Sequence, residues 1–337
     1  MGNVSALLEV KDLTVDIPLT EGVLHPVRGI SFTIEQGETL CLVGESGCGK
    51  SLTSLAIMGL LPKRAQRQAA ILRVGDLDIS KASWREMANV RGNKMAMIFQ
   101  EPMTSLNPAY TVGNQLEEAL LRHNRVSRKE ARERAIYLLE KVGITGAAGR
   151  LNQYPHQLSG GLRQRVMIAM ALMCGPGLII ADEPTTALDV TIQAQILLLL
   201  AELQREFQMA LLLITHDLGV VARVADRVAV MYAGQIVEQG TAAEVFEKPL
   251  HPYTRGLMAC IPVPGKTERG SHLGSIPGLV PSLFGDLPGC AFRDRCAYAR
   301  TDCTSYEGLR TQSEGRAYRC IMTPNEAVLA GAQEQFA

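Results

Sequence analysis

The run Gly44-Glu45-Ser46-Gly47-Cys48-Gly49-Lys50-Ser51 has the spacing G-x-x-x-x-G-K-S. It follows an apolar run, Thr39–Val43, that reads as a short buried strand, and precedes Leu52–Leu61, which reads as a helix. Glycines at these positions let the backbone wrap an anion so that consecutive N–H groups converge on one phosphate. The helix that follows adds the partial positive charge of its N-terminus. In such a loop Lys50 reaches the β- and γ-phosphates, and the Ser51 hydroxyl is offered to Mg²⁺. A Gly-rich strand-to-helix turn that binds nothing would carry the same glycines, but the strand before and the helix after favour the phosphate reading.

A second constellation lies about 130 residues downstream. Leu178-Ile179-Ile180-Ala181-Asp182-Glu183 is an apolar strand ending in two carboxylates. Asp182 suits a Mg²⁺-holding acid at a strand tip, and Glu183 suits a base that orients or deprotonates an attacking water. Two adjacent acids in a solvated turn are the alternative, which the upstream loop makes the poorer reading. Four cysteines crowd the C-terminal part as Cys290, Cys296, Cys303 and Cys320, spaced C-x5-C-x6-C-x16-C. Four thiolates can hold Zn²⁺ tetrahedrally or a [4Fe–4S] cluster, or they can remain unligated. Cys41, Cys48, Cys174 and Cys260 are scattered and read as small buried hydrophobes.

The elements needed to position these groups are those of an α/β chain. Leu7–Ile17 and Ile30–Ile34 alternate as strands of a small antiparallel sheet, and Ile71–Ile79 and Lys94–Phe99 are further strands. From about residue 101 to 157 the pattern turns helical; Ser127-Arg128-Lys129-Glu130 is a capping box ahead of an apolar stripe in Ala131–Val142. Strand patterns return at Leu178–Ala181, Ala210–Ile214, Arg227–Tyr232 and Gln235–Glu238. Between the first two, Ile192, Ile196, Leu199, Leu200, Leu203 and Phe207 mark one helical face. This alternation implies parallel βαβ units. A helix at Ala242–Glu247 leads to a Pro/Gly-rich tail, Pro262 to Gly289, and then to the cysteines.

Composition bounds the rest. With 337 residues, 47% hydrophobic and 20% charged, the chain has ample material for a packed core. Lys+Arg 34 balances Asp+Glu 34, which gives no general reason to expect nucleic-acid binding. There is no secretion-signal pattern, and the apolar runs fall short of the roughly 20 residues that span a bilayer, so a soluble cytosolic chain is expected.

Further motifs carry a resemblance. Leu158-Ser159-Gly160-Gly161, followed by Gln164 and Arg165, resembles the signature motif of ABC ATPases. Phe99-Gln100-Glu101 resembles their Q-loop, Thr186-Ala187-Leu188-Asp189 their D-loop, and Ile214-Thr215-His216-Asp217 their H-switch. The motifs occur in the family's order over residues 5–245, with a helical insert at about 101–174. The resemblance implies a P-loop NTPase core of ABC ATPase type, with a small antiparallel β subdomain, this insert and a Cys-containing extension over 246–337. It implies ATP bound by Gly44 through Leu52, Mg²⁺ held by Ser51, Gln100 and Asp182, and catalytic roles for Glu183, Gln100 and His216. Ser159, Gly160, Gly161 and Asp189 would complete the nucleotide pocket of an opposite subunit. Two positions depart from the family pattern: Leu162 stands where a Gln is common, and Ile17 where an adenine-stacking aromatic is expected, at a cost of about 1 kcal/mol in stacking.

His251-Pro252-Tyr253-Thr254 with Leu257, Ile276–Pro281, Gly289–Cys296 and Glu101–Pro108 resemble oligopeptide/dipeptide importer ATPases, a group shared with nickel, glutathione and opine importers. That resemblance implies an ATPase paired with a second ABC ATPase subunit, a paralogue or a copy, and with two transmembrane permease subunits. It places an extracytoplasmic solute-binding protein upstream, the chain peripherally on the cytoplasmic face of the membrane, and no nucleic acid among the partners. It also favours iron–sulfur over zinc at the cysteines. The competing expectations are a soluble ABC ATPase acting on nucleic acid or ribosomes, and a redox or metal sensor using the cysteine tail.

Overall fold

A computed structural model describes residues 6–185, 189–260, 275–306, 308–313 and 315–327. The chain divides into two compact units, one formed by Met1–Glu9, Thr33–Thr39 and Leu72–Ile214, the other by Val10–Phe32, Leu40–Ile71 and Thr215–Ala337.

In the first unit three parallel strands lie side by side in the order Met95–Ile98, Leu178–Asp182, Ala210–Ile214. Ala181 pairs with Ile98 on one side and Leu213 on the other, and Asp182 pairs with Ile214. Leu178–Asp182 and Ala210–Ile214 are buried at every position, as expected of parallel strands covered on both faces. The long helix Val190–Phe207 buries Ile196, Leu199, Leu200 and Leu203, while Ile192 and Phe207 are half-buried. In the insert, helices Val112–His123, Arg128–Lys141 and Gly160–Ala171 pack on one another around Leu116, Ala135, Leu138 and Val166. The capping box forms as expected: the Glu130 N–H donates to Ser127 Oγ at 3.2 Å, and the Ser127 N–H donates to Glu130 Oε2 at 2.7 Å. The expected strand Ile71–Ile79 is instead two short antiparallel strands, Ile71–Val74 and Leu77–Asp78. The chain reverses between them at Gly75, and a β-only reading of the apolar run passes over that turn. A helix at Trp84–Val90, capped by Ser83, was not expected from the sequence pattern.

In the second unit the strand Thr39–Val43 forms as expected and lies parallel to Arg227–Tyr232. Arg227–Tyr232 pairs antiparallel with Gln235–Thr241, which pairs antiparallel with Arg316–Tyr318, and Arg310–Ser313 closes the series. The strands Leu8–Leu19 and Gly22–Ile34 neighbour one another, and Leu8–Leu19 also pairs antiparallel with Gln66–Gln68. Gly22–Ile34 is far longer than the expected Ile30–Ile34, because Pro26 and half-exposed side chains interrupt the alternation that marks a strand. Leu250, Tyr318, Cys320, Met322 and Ala327 form a small core of their own beneath the C-terminal strands.

Candidate nucleotide-binding and catalytic site

The second unit holds the loop expected to bind phosphate. The chain leaves the buried strand Thr39–Val43, turns through Gly44–Gly49, and enters the helix Lys50–Met58. Two glycines are required for steric reasons. At Gly44 φ is +153° and a Cβ would fall 2.2 Å from the Met231 carbonyl oxygen; at Gly49 φ is +106° and a Cβ would fall 2.0 Å from the Pro26 carbonyl oxygen. The loop can follow this path only with hydrogen at both positions. Ser46 and Gly47 are exposed at the tip, Cys48 is fully buried, and Ser51 and Leu52 are half-buried at the helix start. The buried Lys50 folds back over the loop, its Nζ donating to the carbonyls of Gly44 at 2.9 Å and Glu45 at 3.0 Å. Burial pushes the Cys48 thiol up, so it is a neutral packing group under the loop. In the same unit His216 is exposed, and Asp217 beside it caps the next helix by accepting from the N–H groups of Gly219 and Val220.

The first unit holds the acidic strand end. Asp182 is 4% exposed at the last position of its strand. Glu183 follows with φ +43°, a left-handed conformation costly for a residue with a side chain, and its N–H donates to the Ile214 carbonyl at 2.9 Å. Gln100 meets it: Gln100 Nε2 donates to Glu183 Oε2 at 3.2 Å. The structure therefore brings together the two residues expected to handle a water molecule. Ser159 caps the helix Gly160–Ala171, its exposed hydroxyl accepting from the Leu162 N–H at 3.4 Å, and Gly160 and Gly161 open that helix. The departure at Leu162 thus leaves the backbone of the helix start in place. Asp189 is exposed ahead of Val190–Phe207; Thr186, Ala187 and Leu188 lie outside the described residues. Ile17 is half-buried within the strand Leu8–Leu19.

In the second unit Cys290, Cys296, Cys303 and Cys320 all line one cavity, together with Phe292, Tyr298 and Tyr306. Burial pushes up the thiols of Cys290, Cys320 and Cys296, the last to about 11, and the neighbouring cysteines raise each further. Cys290, Cys296 and Cys320 are thereby held as neutral thiols. Among the described residues, no three His, Cys, Asp or Glu side chains are arranged to hold a single metal ion. Of the scattered cysteines, Cys41 and Cys48 are buried as expected, whereas Cys174 and Cys260 are half-buried.

The ABC transporter family matches residues 27–186, and the family of oligopeptide/dipeptide transporter C-terminal regions matches residues 237–303. The dipeptide transport ATP-binding protein DppD of Bacillus subtilis (strain 168) is 49% identical over 330 residues, covering 96% of this chain and 98% of the relative. This chain belongs to the oligopeptide/dipeptide group of ABC transporter ATP-binding proteins. DppD of Escherichia coli (strain K12) is likewise 49% identical, covering 94% of this chain and 96% of the relative. Among solved structures, the ATP-binding cassette MJ0796, a dimer bound to ADP and phosphate, matches with TM-score 0.62 and 27% identity, covering 70% of this chain and 98% of that one. The fold is therefore that of an ABC ATPase cassette.

In this ABC transporter ATP-binding protein the C-terminal region makes contacts with the loop Gly44–Ser51 that motif reading missed. The Glu45 N–H donates to the Tyr253 hydroxyl at 2.9 Å, and the Glu45 carboxylate is paired with Arg295. The HPY motif has a local reason as well. His251 Nδ1 accepts from the Tyr253 N–H at the start of the helix Pro252–Ala259, and complete burial holds the imidazole neutral, with its pKa lowered to about 3. Nothing in the sequence pairs Tyr253 or Arg295 with Glu45, 208 and 250 positions away.

Proposed function

We propose that this chain is the ATP-hydrolysing subunit that energises import of peptides or related small solutes through a membrane ABC transporter. The observation that carries the reading is the loop Gly44–Ser51, whose backbone can take its path only with glycine at Gly44 and Gly49 and whose lysine folds back onto the loop carbonyls. The match of residues 237–303 to the oligopeptide/dipeptide transporter region supports the peptide class of cargo. The functional division is an ATPase domain over 5–245 and an importer-type extension over 246–337.

In this reading Lys50 and the loop amides of Gly44 through Leu52 bind the phosphates. Ser51, Gln100 and Asp182 offer only oxygen donors, which suits Mg²⁺; when bound, the ion neutralises phosphate charge. Glu183, held by its backbone and by Gln100, takes the proton of the attacking water. His216 contacts the γ-phosphate. Ser159, Gly160, Gly161 and Asp189 serve a nucleotide carried by a second ATPase subunit, a paralogue or a copy. ATP then closes the pair and hydrolysis reopens it, driving two permease subunits that receive cargo from a solute-binding protein. No helix among the described residues is long and apolar enough to cross a membrane, which suits a chain docked peripherally on the cytoplasmic face.

The four cysteines would hold a [4Fe–4S] cluster. Their thiols line one cavity, and their spacing lacks the C-x2-C pairs usual for structural zinc, which supports a cluster over Zn²⁺. Cys290→Ser should remove iron and any absorption near about 400 nm from the purified chain; a colourless, iron-free wild type overturns the assignment.

Co-expression with its two permeases and partner ATPase should yield a complex whose vesicles take up peptide only with ATP. Salt-sensitive nucleic-acid binding without such a complex would favour the non-transport alternative.

A further inference from the structure

Glu45 is an acid inside a loop built for anions. Its carbonyl accepts from Lys50 Nζ at 3.0 Å, its N–H donates to the Tyr253 hydroxyl at 2.9 Å, and its carboxylate is gripped by both terminal nitrogens of Arg295, at 2.7 and 3.0 Å. Arg295 comes 250 residues later and is nearly buried, its side chain 5% exposed against 30% for Glu45. Its guanidinium is fixed on every side: Nε donates to the Pro277 carbonyl at 2.9 Å and an NH₂ group to the Ile276 carbonyl at 3.0 Å. It lies 5.8 Å from the centre of the Tyr232 ring and 5.9 Å from that of Phe292. Those rings pack edge-on at 5.3 Å, and Tyr253 leans on both. This is a bidentate, preorganised pair rather than a solvated surface contact.

An unpaired carboxylate beside a triphosphate would repel it, and the repulsion grows as water is excluded. We propose that Arg295 is a positioning residue for nucleotide binding, cancelling the charge of Glu45 and holding that carboxylate away from the phosphates. The inference rests on the phosphate-loop reading above. It makes ATP affinity depend on a residue of the cysteine-bearing segment, adjacent in sequence to Cys296.

The test is the dissociation constant for ATP of the full-length chain, measured by equilibrium dialysis at low and moderate salt. Arg295→Ala should weaken binding about tenfold at low salt, and the gap should narrow as salt screens the exposed charge. Glu45→Gln combined with Arg295→Ala should return affinity to within about threefold of wild type, since the repelling charge is gone. A double variant as weak as Arg295→Ala alone would make Arg295 merely structural and overturn the proposal, as would Arg295→Ala binding like wild type. Should Arg295→Ala not fold, Arg295→Lys carries the same comparison, with a loss of about threefold that Glu45→Gln abolishes. A wild type that binds no ATP would instead sink the phosphate-loop reading itself.

Discussion

Glu183→Gln should bind ATP normally and hydrolyse almost none of it. The substitution keeps the shape of the side chain and leaves an oxygen to accept from Gln100 Nε2, now 3.2 Å from Glu183 Oε2. It also keeps the N–H bond to Ile214 that supports the left-handed backbone at φ +43°. What it removes is the ability to accept a proton from water. Loss of a positioned general base costs about 10²- to 10⁴-fold in rate. Measured in the assembled transporter with a partner ATPase whose own base has been removed, turnover should fall by that factor while the ATP dissociation constant shifts less than about threefold. Normal turnover in that assembly would remove Glu183 from the mechanism.

Gly49→Ala should abolish nucleotide binding by a different route. The new methyl would sit 2.0 Å from the Pro26 carbonyl oxygen and 2.8 Å from the Met231 side chain, at φ +106°. The Met231 chain end can move, but the Pro26 carbonyl belongs to backbone in the strand Gly22–Ile34. Overpacking of about 1–3 kcal/mol adds to backbone strain of about 1–2 kcal/mol, so the loop must leave its path. Gly47→Ala is the control: its φ is +80° but its Cβ would meet nothing within 4 Å, leaving only the strain. Thermal unfolding and ATP titration of both variants should separate them, with Gly49→Ala losing about 3 kcal/mol or more of stability and over about 100-fold in affinity. Equal behaviour of the two would mean that loop shape does not set binding.

The sequence revealed most clearly what local chemistry decides. The strand Thr39–Val43, the glycines after it and the helix beyond them are legible from local sequence, and the structure forms all three, with the helix beginning at Lys50 rather than Leu52. That helix stops at Met58 rather than Leu61 because Gly59 takes the left-handed cap. Arg227–Tyr232 and Ala242–Glu247 also form with the expected bounds. The C-terminal strands Arg310–Ser313 and Arg316–Tyr318 were illegible because they are short and carry little hydrophobic alternation. Gln100 meeting Glu183 could be anticipated only through the family resemblance. Arg295 on Glu45 and Tyr253 on the same residue could not be anticipated at all, since nothing in a sequence pairs an arginine with an acid 250 positions away.

The strand Arg316–Tyr318 has a consequence for anyone trimming this protein. It covers the flank of Gln235–Thr241, with Glu238 opposite Tyr318. The Glu238 carboxylate, wholly buried, takes its N–H donors from Leu250 and His251. A truncation after residue 245 would strip from this acid both N–H donors and the Arg316 guanidinium 3.8 Å away, and would bare the margin of Gln235–Thr241 that Arg316–Tyr318 covers. Such a margin invites strand addition from neighbouring molecules, so the shortened cassette would tend to self-associate and precipitate.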